Sequence, residues 1–206
     1  GSEMCIRDRP HAVLPLISAL SEGDRELPLL ISIAAAVTLD EMEERACDGT
    51  RIVRAMPNTP CMVLSGVIAY SPGTAVTDED EEAARRLLSG CGSVFKVEES
   101  RMNAVSAISG CGPAYMFTAL DALSDAGVAM GLPRKTALEL AAGTMLGSAL
   151  MLEQTGEHPM ALRDAVTSPG GTTIAALNAL DECGFRNAWI QAVKSAVRRA
   201  EEMEGN

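Results

Sequence analysis

The amino-terminal half of the chain alternates between short apolar runs and segments with apolar residues at helical spacing. Residues 12–20 have the helical spacing, whereas Leu29–Ile33 is almost wholly apolar, as in a strand buried on both faces of a parallel sheet. The further strand-like runs are Arg51–Ala55, Val67–Tyr70 and Ser93–Val97. Helices that alternate with apolar strands predict an α/β sheet.

Two threonines mark predicted helix starts in this half. Thr38 and Glu41 have the spacing of a capping box, which predicts a helix to about Cys47. Thr77 is followed by the acidic residues 78–80, which favour the positive end of a helix dipole.

From about Glu99 onward the pattern is helical only. The predicted helices span 102–108, 113–130, 134–154, 158–166, 172–182 and 185–203. Several are apolar nearly all round, which a small monomer cannot easily bury. Gly143 and Gly147 lie among alanine and serine, and such small residues let another helix approach closely. That helix belongs either to the same chain or to a second subunit. The apolar character of the whole half favours the subunit interface.

These patterns divide the chain into three parts. Residues 1–9 have no periodicity and are interpreted as sequence that is not native to the protein. Residues 1–11 are therefore predicted to be a non-native or disordered leader outside the fold. Residues 12–98 form the α/β part, and residues 99–206 form a helical part that is predicted to dimerise.

Composition excludes several classes of partner. A net charge of -11, a pI of about 4.6 and 3% aromatic residues argue against nucleic acid and anionic membranes. The apolar run 137–152 contains Glu139 and is too short to span a bilayer comfortably. Six scattered cysteines without a CxxC pair, and only His11 and His158 beside them, predict no metal site. Without a signal peptide, these thiols indicate a reduced, cytoplasmic protein.

The most informative stretch is Ser168–Thr173, with the sequence Ser-Pro-Gly-Gly-Thr-Thr, directly before a helix-forming run. Pro169, Gly170 and Gly171 predict a tight turn whose backbone a ligand can approach closely. Free N–H groups at the helix start would suit a carboxylate or phosphate, and Ser168, Thr172 and Thr173 add hydroxyls. The alternative for these residues is an ordinary turn with a threonine cap.

Two other motifs lie where ligands often bind. Met56–Pro60 follows a strand and contains two prolines, so it is either a ligand loop at the carboxyl end of the sheet or a rigid connector. Ser109–Tyr115 is a glycine-rich turn that enters a helix. Its Cys111 has no histidine nearby in sequence, so a packed thiol is favoured over a nucleophile. His158 is predicted to be a capping or surface residue.

Taken together, the motifs resemble those of pyrroline-5-carboxylate reductases, in the same order along the chain. The resemblance covers residues 12–203 and rests on Met56–Pro60, Ser109–Tyr115, Asp125–Arg134, Ser168–Thr173 and Gly184–Arg186. It implies a Rossmann-like sheet domain, a helical domain that intertwines with a second protomer, and a homodimer or higher homo-oligomer. It also implies the reduction of the cyclic imino acid Δ1-pyrroline-5-carboxylate to L-proline with NADPH or NADH.

The resemblance assigns roles to individual residues. The substrate carboxylate would be held by the turn that contains Ser168, Gly170, Gly171, Thr172 and Thr173. Thr173 would also hydrogen-bond the ring nitrogen and assist its protonation, and Glu99, at the junction of the two halves, would lie at the substrate cleft. The nicotinamide side would be lined by Ile33, Ala34, Ala35, Met56, Pro57 and Asn58.

This sequence departs from the family pattern in three ways. Family members begin with a strand, a GxGxxG phosphate loop and a helix, so the resemblance implies that about the first third of the family's length is absent here. Ala36 stands where a glycine is usual, and Cys111 stands where a serine is common.

Two alternatives follow from these departures. One is a fragment without catalytic activity that acts only as a helical dimerisation module. The other is a different Rossmann-type reductase, such as a β-hydroxyacid dehydrogenase. That class needs a catalytic lysine, and the helical half offers only Lys135 and Lys194, neither in a glycine-rich context.

Overall fold

A computed structural model describes residues 10–21 and 27–204, with the backbone alone at Pro10 and His11. The predicted leader therefore lies almost entirely outside the described residues. Along the described chain the elements are α1 (Pro10–Leu20), β1 (Leu30–Ser32), α2 (Leu39–Arg45), β2 (Ile52–Met56), β3 (Gly66–Pro72), α3 (Asp78–Leu88), β4 (Gly92–Lys96), α4 (Met102–Val105), α5 (Gly112–Ala129), α6 (Arg134–Thr155), α7 (Pro159–Ala165), α8 (Thr172–Glu182) and α9 (Phe185–Glu204).

The strands form one sheet in the order β1-β2-β3-β4. The pairs β1–β2 and β3–β4 are parallel, whereas β2–β3 is antiparallel. The predicted order of an α/β part followed by helices is confirmed, but the sheet is mixed where the pattern predicts parallel strands throughout. The reason is the short link between β2 and β3, which holds only a 3-10 turn at Thr59–Val63. A parallel pair needs a crossover of a dozen or more residues.

Helices cover both faces of this sheet. Val53 and Ala55 of β2 point to one face and pack in a core that includes Ala84 of α3. On the other face, Ile52 packs with residues of α1 and α2, and Met56 packs with Met102 of α4. Alternation along the strand therefore places the side chain between Ile52 and Met56, that of Arg54, on this second face.

The predicted helix caps are present. Thr38 and Glu41 form a capping box at the start of α2, and Thr77 and Asp80 form one at the start of α3. α4 continues as a single π-helical turn, Ser106–Gly110, directly before α5.

Contacts divide the chain into two compact units. Among the described residues, the sheet unit contains 10–113 and 193–204, and the helical unit is Ala114–Ala192. The predicted division at residue 99 follows the change from strands to helices. By packing, α4 and the carboxyl-terminal part of α9 belong with the sheet.

The helical unit buries little of its own apolar surface. Within Ala114–Ala192 the buried residues are Ser124, Ala137 and Ala141. Large side chains of α6 are exposed, namely Leu138, Leu140, Leu146, Leu150, Met151 and Leu152. A Cβ added at Gly143 or Gly147 would meet no described atom within 4 Å. Tight packing within the chain therefore does not explain these glycines, and the subunit interface remains the prediction.

Candidate active site

The residues predicted to line the nicotinamide side lie together at one edge of the sheet. β1 and β2 run parallel with Ser32 opposite Arg54, so the segments after both strands leave at the same edge. These segments are Ile33–Ala35 and Pro57–Asn58, and Ala35 packs against the core that contains Met56. Ligands of α/β sheets bind at the carboxyl ends of strands, which is where this edge lies.

Ala36, directly after this segment, has a left-handed backbone with a φ of 57°. Glycine adopts this conformation at no steric cost, whereas a Cβ costs roughly 1–2 kcal/mol. The backbone thus explains why a glycine is usual at this position in the resembling family.

Asn58 has a structural role in this loop. Its Oδ1 accepts a hydrogen bond from the backbone N–H of Val67 at 2.9 Å, and its Nδ2 donates to the carbonyl oxygen of Ser109 at 3.0 Å. The amide thereby joins the Met56–Pro60 loop to the start of β3 and to the Ser109–Tyr115 motif.

Glu99 lies against the sheet in a cluster of charges around the buried Arg54, with its own side chain partly exposed. Its Oε1 accepts from Nη1 of Arg54 and, at 3.1 Å, from the backbone N–H of Leu39. Nη2 of Arg54 lies 3.5 Å from Oε1 of Glu204, whose Oε2 accepts from Asn103 at 2.7 Å. Arg54 is 1% exposed. The contact of Glu99 with substrate stays a prediction. Its carboxylate already has two partners in the chain, Arg54 and the backbone N–H of Leu39.

The sequence reasoning missed Arg54 and Glu204. The available signal was an arginine in the middle of the apolar strand run 51–55, where a charge is costly unless it is paired. Its partner on α9 follows only from tertiary packing.

In the helical unit, Ser168–Gly171 form a type II turn. The N–H of Gly171 donates to the carbonyl oxygen of Ser168 at 3.1 Å, and Gly170, after Pro169, has a φ of 68°. This conformation requires φ above zero at the third turn position, which glycine supplies.

Gly171 is the N-cap of α8, and it has no side chain with which to cap the helix. The alternative of a threonine cap is therefore wrong, since Thr172 and Thr173 are the first two helical residues. The N–H groups of Thr172, Thr173 and Ile174 have no acceptor among the described residues. A Cβ at Gly171 would lie 2.3 Å from Oγ of Ser168, so this hydroxyl lies directly over the glycine. The turn thus presents N–H groups and a hydroxyl at one helix start.

The structure also places His158 and Cys111, two further side chains singled out in the sequence. His158 caps α7, because its Nδ1 accepts from the backbone N–H of Met160 at 3.2 Å, as predicted. Cys111 is exposed, which contradicts the packed thiol, because the π-helical turn ends there and nothing covers it among the described residues.

Neither a metal-binding cluster nor a membrane-spanning helix is present among the described residues. No three or more His, Cys, Asp and Glu side chains in residues 12–21 and 27–204 are grouped so that they could hold a metal ion. Across the same part of the chain, no helix combines the length and apolar character needed to cross a bilayer.

Comparison with known proteins decides the family. The family model described as pyrroline-5-carboxylate reductase dimerisation matches residues 99–203. The pyrroline-5-carboxylate reductase of Synechocystis is 44% identical over 202 residues, which cover 98% of this chain and 75% of the relative. The chain belongs to the pyrroline-5-carboxylate reductase family.

Other relatives agree. The pyrroline-5-carboxylate reductase of Glycine max is 42% identical over 195 residues, covering 95% of this chain and 71% of its own length. The structure of the reductase from Coxiella burnetii superimposes with a TM-score of 0.89 at 36% identity, covering 94% of this chain and 73% of that one. The Plasmodium falciparum pyrroline carboxylate reductase, solved with NADP bound, gives a TM-score of 0.87 at 31% identity, covering 95% and 74%.

Membership of this family confirms the resemblance drawn from the five motifs. The β-hydroxyacid dehydrogenase alternative is thereby set aside. The roles of individual residues stay predictions.

Proposed function

We propose that the protein reduces Δ1-pyrroline-5-carboxylate to L-proline with NADPH or NADH. The observation that carries the proposal is the open helix start at Gly171–Ile174, in a chain that belongs to the pyrroline-5-carboxylate reductase family. Three free N–H groups and a nearby hydroxyl are suited to a small carboxylate.

The carboxylate of the substrate would bind to the N–H groups of Thr172, Thr173 and Ile174. Gly170 and Gly171 have no Cβ, so the acid approaches the backbone without a steric obstacle. The positive end of the α8 dipole adds to the attraction. The Ser168 hydroxyl, over Gly171, is placed to donate a further hydrogen bond.

Thr173 would act on the ring nitrogen. Its side chain is half-buried and its hydroxyl makes no hydrogen bond to the described residues, so it is available to a ligand. Protonation of the imine makes its carbon a better acceptor of hydride, and a hydroxyl bonded to the nitrogen assists that proton transfer. Hydride delivered to that carbon would leave a C–N single bond, with the proton kept on nitrogen.

The sheet edge fits a nicotinamide cofactor. When bound, such a cofactor supplies the hydride. Ala35 is small enough to let a flat ring approach the backbone, whereas Ala34 is 2% exposed and packs in the core that contains Ile52. Asn58 keeps one Nδ2 hydrogen beyond its bond to Ser109. The Plasmodium falciparum relative, solved with NADP bound, supports this assignment.

A homo-oligomer belongs to the same proposal. The helical unit exposes the apolar α6 surface described above, and large exposed apolar surfaces mark contacts between proteins. The matched family model is itself described as a dimerisation model. We expect a homodimer or larger assembly through Ala114–Ala192.

The test is an assay of the protein expressed from its complete reading frame. Oxidation of NADPH or NADH that depends on Δ1-pyrroline-5-carboxylate, with one L-proline formed per cofactor, supports the proposal. The matched variants are Thr173→Ala and, on the same helix, the exposed Asn178→Ala as control. A folded protein that dimerises but does not consume the imine with either cofactor overturns the reductase and favours the dimerisation module.

A further inference from the structure

The buried arginine Arg54 lies beneath both loops of the proposed cofactor edge. It is two residues before Met56 on β2, and it shares the sheet face of Ile52 and Met56, both at or below 7% exposure. A charge at this position carries a large desolvation cost, which its carboxylate partners offset.

Glu99 connects Arg54 to the other loop. One oxygen, Oε1, accepts both from Arg54 and from the N–H of Leu39, the first residue of α2. This N–H is one of the groups that a helix start leaves without an intrahelical partner. The segment 33–38, which contains the proposed nicotinamide residues, ends directly at this bond. Glu99 thus fixes the downstream end of that segment to β2.

The pair is poorly arranged for stability alone. Nε of Arg54 and Oε2 of Glu99 are buried and have no hydrogen-bond partner among the described residues. Apolar side chains of similar volume are often at least as stabilising as a buried ion pair, and unsatisfied polar atoms add cost. The arrangement is better explained by the geometry that it imposes on 33–39.

We propose that Glu99, held by Arg54, is a positioning residue that sets the nicotinamide-side loop 33–38, and that it acts on the cofactor through this loop rather than by touching the substrate. The inference rests on the proposed function, because it assigns the loop to the cofactor. It replaces the substrate-cleft role that the family resemblance implies for Glu99.

The experiment compares Glu99→Ala with Glu98→Ala in the protein expressed from its complete reading frame. Glu98 is the adjacent, exposed acid and its side chain makes no hydrogen bond with the described residues, so it is a matched control. We expect Glu99→Ala to raise the KM for NAD(P)H roughly tenfold, since a charge-assisted acceptor at a helix start is lost. The KM for the imine should change less than twofold. Glu99→Gln keeps an acceptor for Leu39 and should recover most of the cofactor KM.

Amide hydrogen exchange gives a second readout that does not need turnover. Exchange in residues 33–39 should rise in Glu99→Ala while that of α3 stays unchanged. If only the KM for the imine rises, Glu99 contacts the substrate and the positioning role is wrong. A lowered melting temperature with both KM values unchanged would make it merely structural. If the unmutated protein does not reduce the imine, the proposed function fails. In that case NAD(P)H binding and amide exchange in 33–39, compared between Glu99→Ala and the unmutated protein, test the positioning role. Unchanged exchange in 33–39 overturns that role.

Discussion

The side-chain amide of Asn58 donates to the carbonyl oxygen of Ser109 at 3.0 Å, across 51 residues of sequence. The bond joins two of the motifs on which the family resemblance rests. The same amide accepts from the N–H of Val67, so it holds the end of β2, the start of β3 and the turn before α5 together.

Asn58→Ala should therefore destabilise the sheet unit. It leaves the Val67 N–H and the Ser109 carbonyl, both part-buried, without their protein partner, at a cost of about 1–3 kcal/mol for the two together. Denaturant unfolding measures the loss. Ser65→Ala, which removes an exposed 3.4 Å contact in the same loop, should cost less than about 0.5 kcal/mol. Equal stability of Asn58→Ala and the parent would show that water replaces both bonds.

Ionisation of Tyr70 should destabilise the folded protein at alkaline pH. The side chain is 2% exposed, and burial, followed by the hydrogen bond to Glu81, raises the pKa of Tyr70 from 10.0 to about 12. Because this pKa is higher in the folded than in the unfolded chain, the stabilisation is fully present below pH 10 and is lost between pH 10 and about 12.

The variant that checks this prediction is Tyr70→Phe. It should cost about 1–2 kcal/mol at neutral pH, through the lost bond to Glu81, and should remove part of the alkaline fall. Unfolding free energies measured from neutral to alkaline pH give the comparison. An alkaline fall of the same size in Tyr70→Phe would assign it to other groups.

Ala36→Gly should stabilise the protein. The native φ of 57° costs alanine roughly 1–2 kcal/mol, and glycine removes this strain. Because glycine also has more conformational entropy in the unfolded chain, which offsets part of the effect, the free energy of unfolding should rise by about 0.5–1 kcal/mol. The neighbouring Ala35→Gly is the control, because Ala35 is outside the left-handed region and packs against the core that contains Met56. Thermal unfolding measures both variants, and we expect Ala35→Gly to be destabilising. A loss of stability in Ala36→Gly would show that its Cβ contributes packing that outweighs the strain.

The sequence predicts the helices well because their ends carry local signals. α8 spans Thr172–Glu182 as predicted, since a Pro-Gly-Gly turn precedes it, and α2 and α3 begin at their predicted caps. The antiparallel β2–β3 pair was also within reach of the sequence, because the link between the two strands is too short for a parallel crossover.

The remaining features depend on distant contacts. Arg54 meets Glu99 at a separation of 45 residues, and no local pattern indicates which acid pairs with a buried arginine. The packing of the end of α9 with the sheet unit likewise follows from tertiary structure. In the candidate site, local signals placed the Ser168–Thr173 turn, whereas the identity of its N-cap depended on backbone angles.

Gly147→Leu should weaken assembly without disturbing the protomer. A Cβ at this position meets no described atom within 4 Å, so there is room for its first carbon on the surface proposed to meet a second subunit. Overpacking such a contact costs about 1–3 kcal/mol. Sedimentation of the variant should show more monomer at micromolar concentration. Gly90→Leu, which is equally open but in the sheet unit, should leave the assembly unchanged. Unchanged assembly in both variants would place Gly147 outside the interface.

Thr173→Ala tests the proposed chemistry most directly. The structure gives the hydroxyl no bond within the described residues and assigns the cap to Gly171, so the substitution should change the melting temperature little. Backbone N–H groups hold the carboxylate, so the KM for the imine should also change little. The kcat should fall roughly ten- to a thousandfold if the hydroxyl assists protonation of the ring nitrogen. Gly171→Val should instead raise the KM, because its side chain would collide with the Ser168 hydroxyl and obstruct the carboxylate. An unaltered kcat in Thr173→Ala would remove its hydroxyl from the mechanism and leave the turn as a binding site for the acid alone.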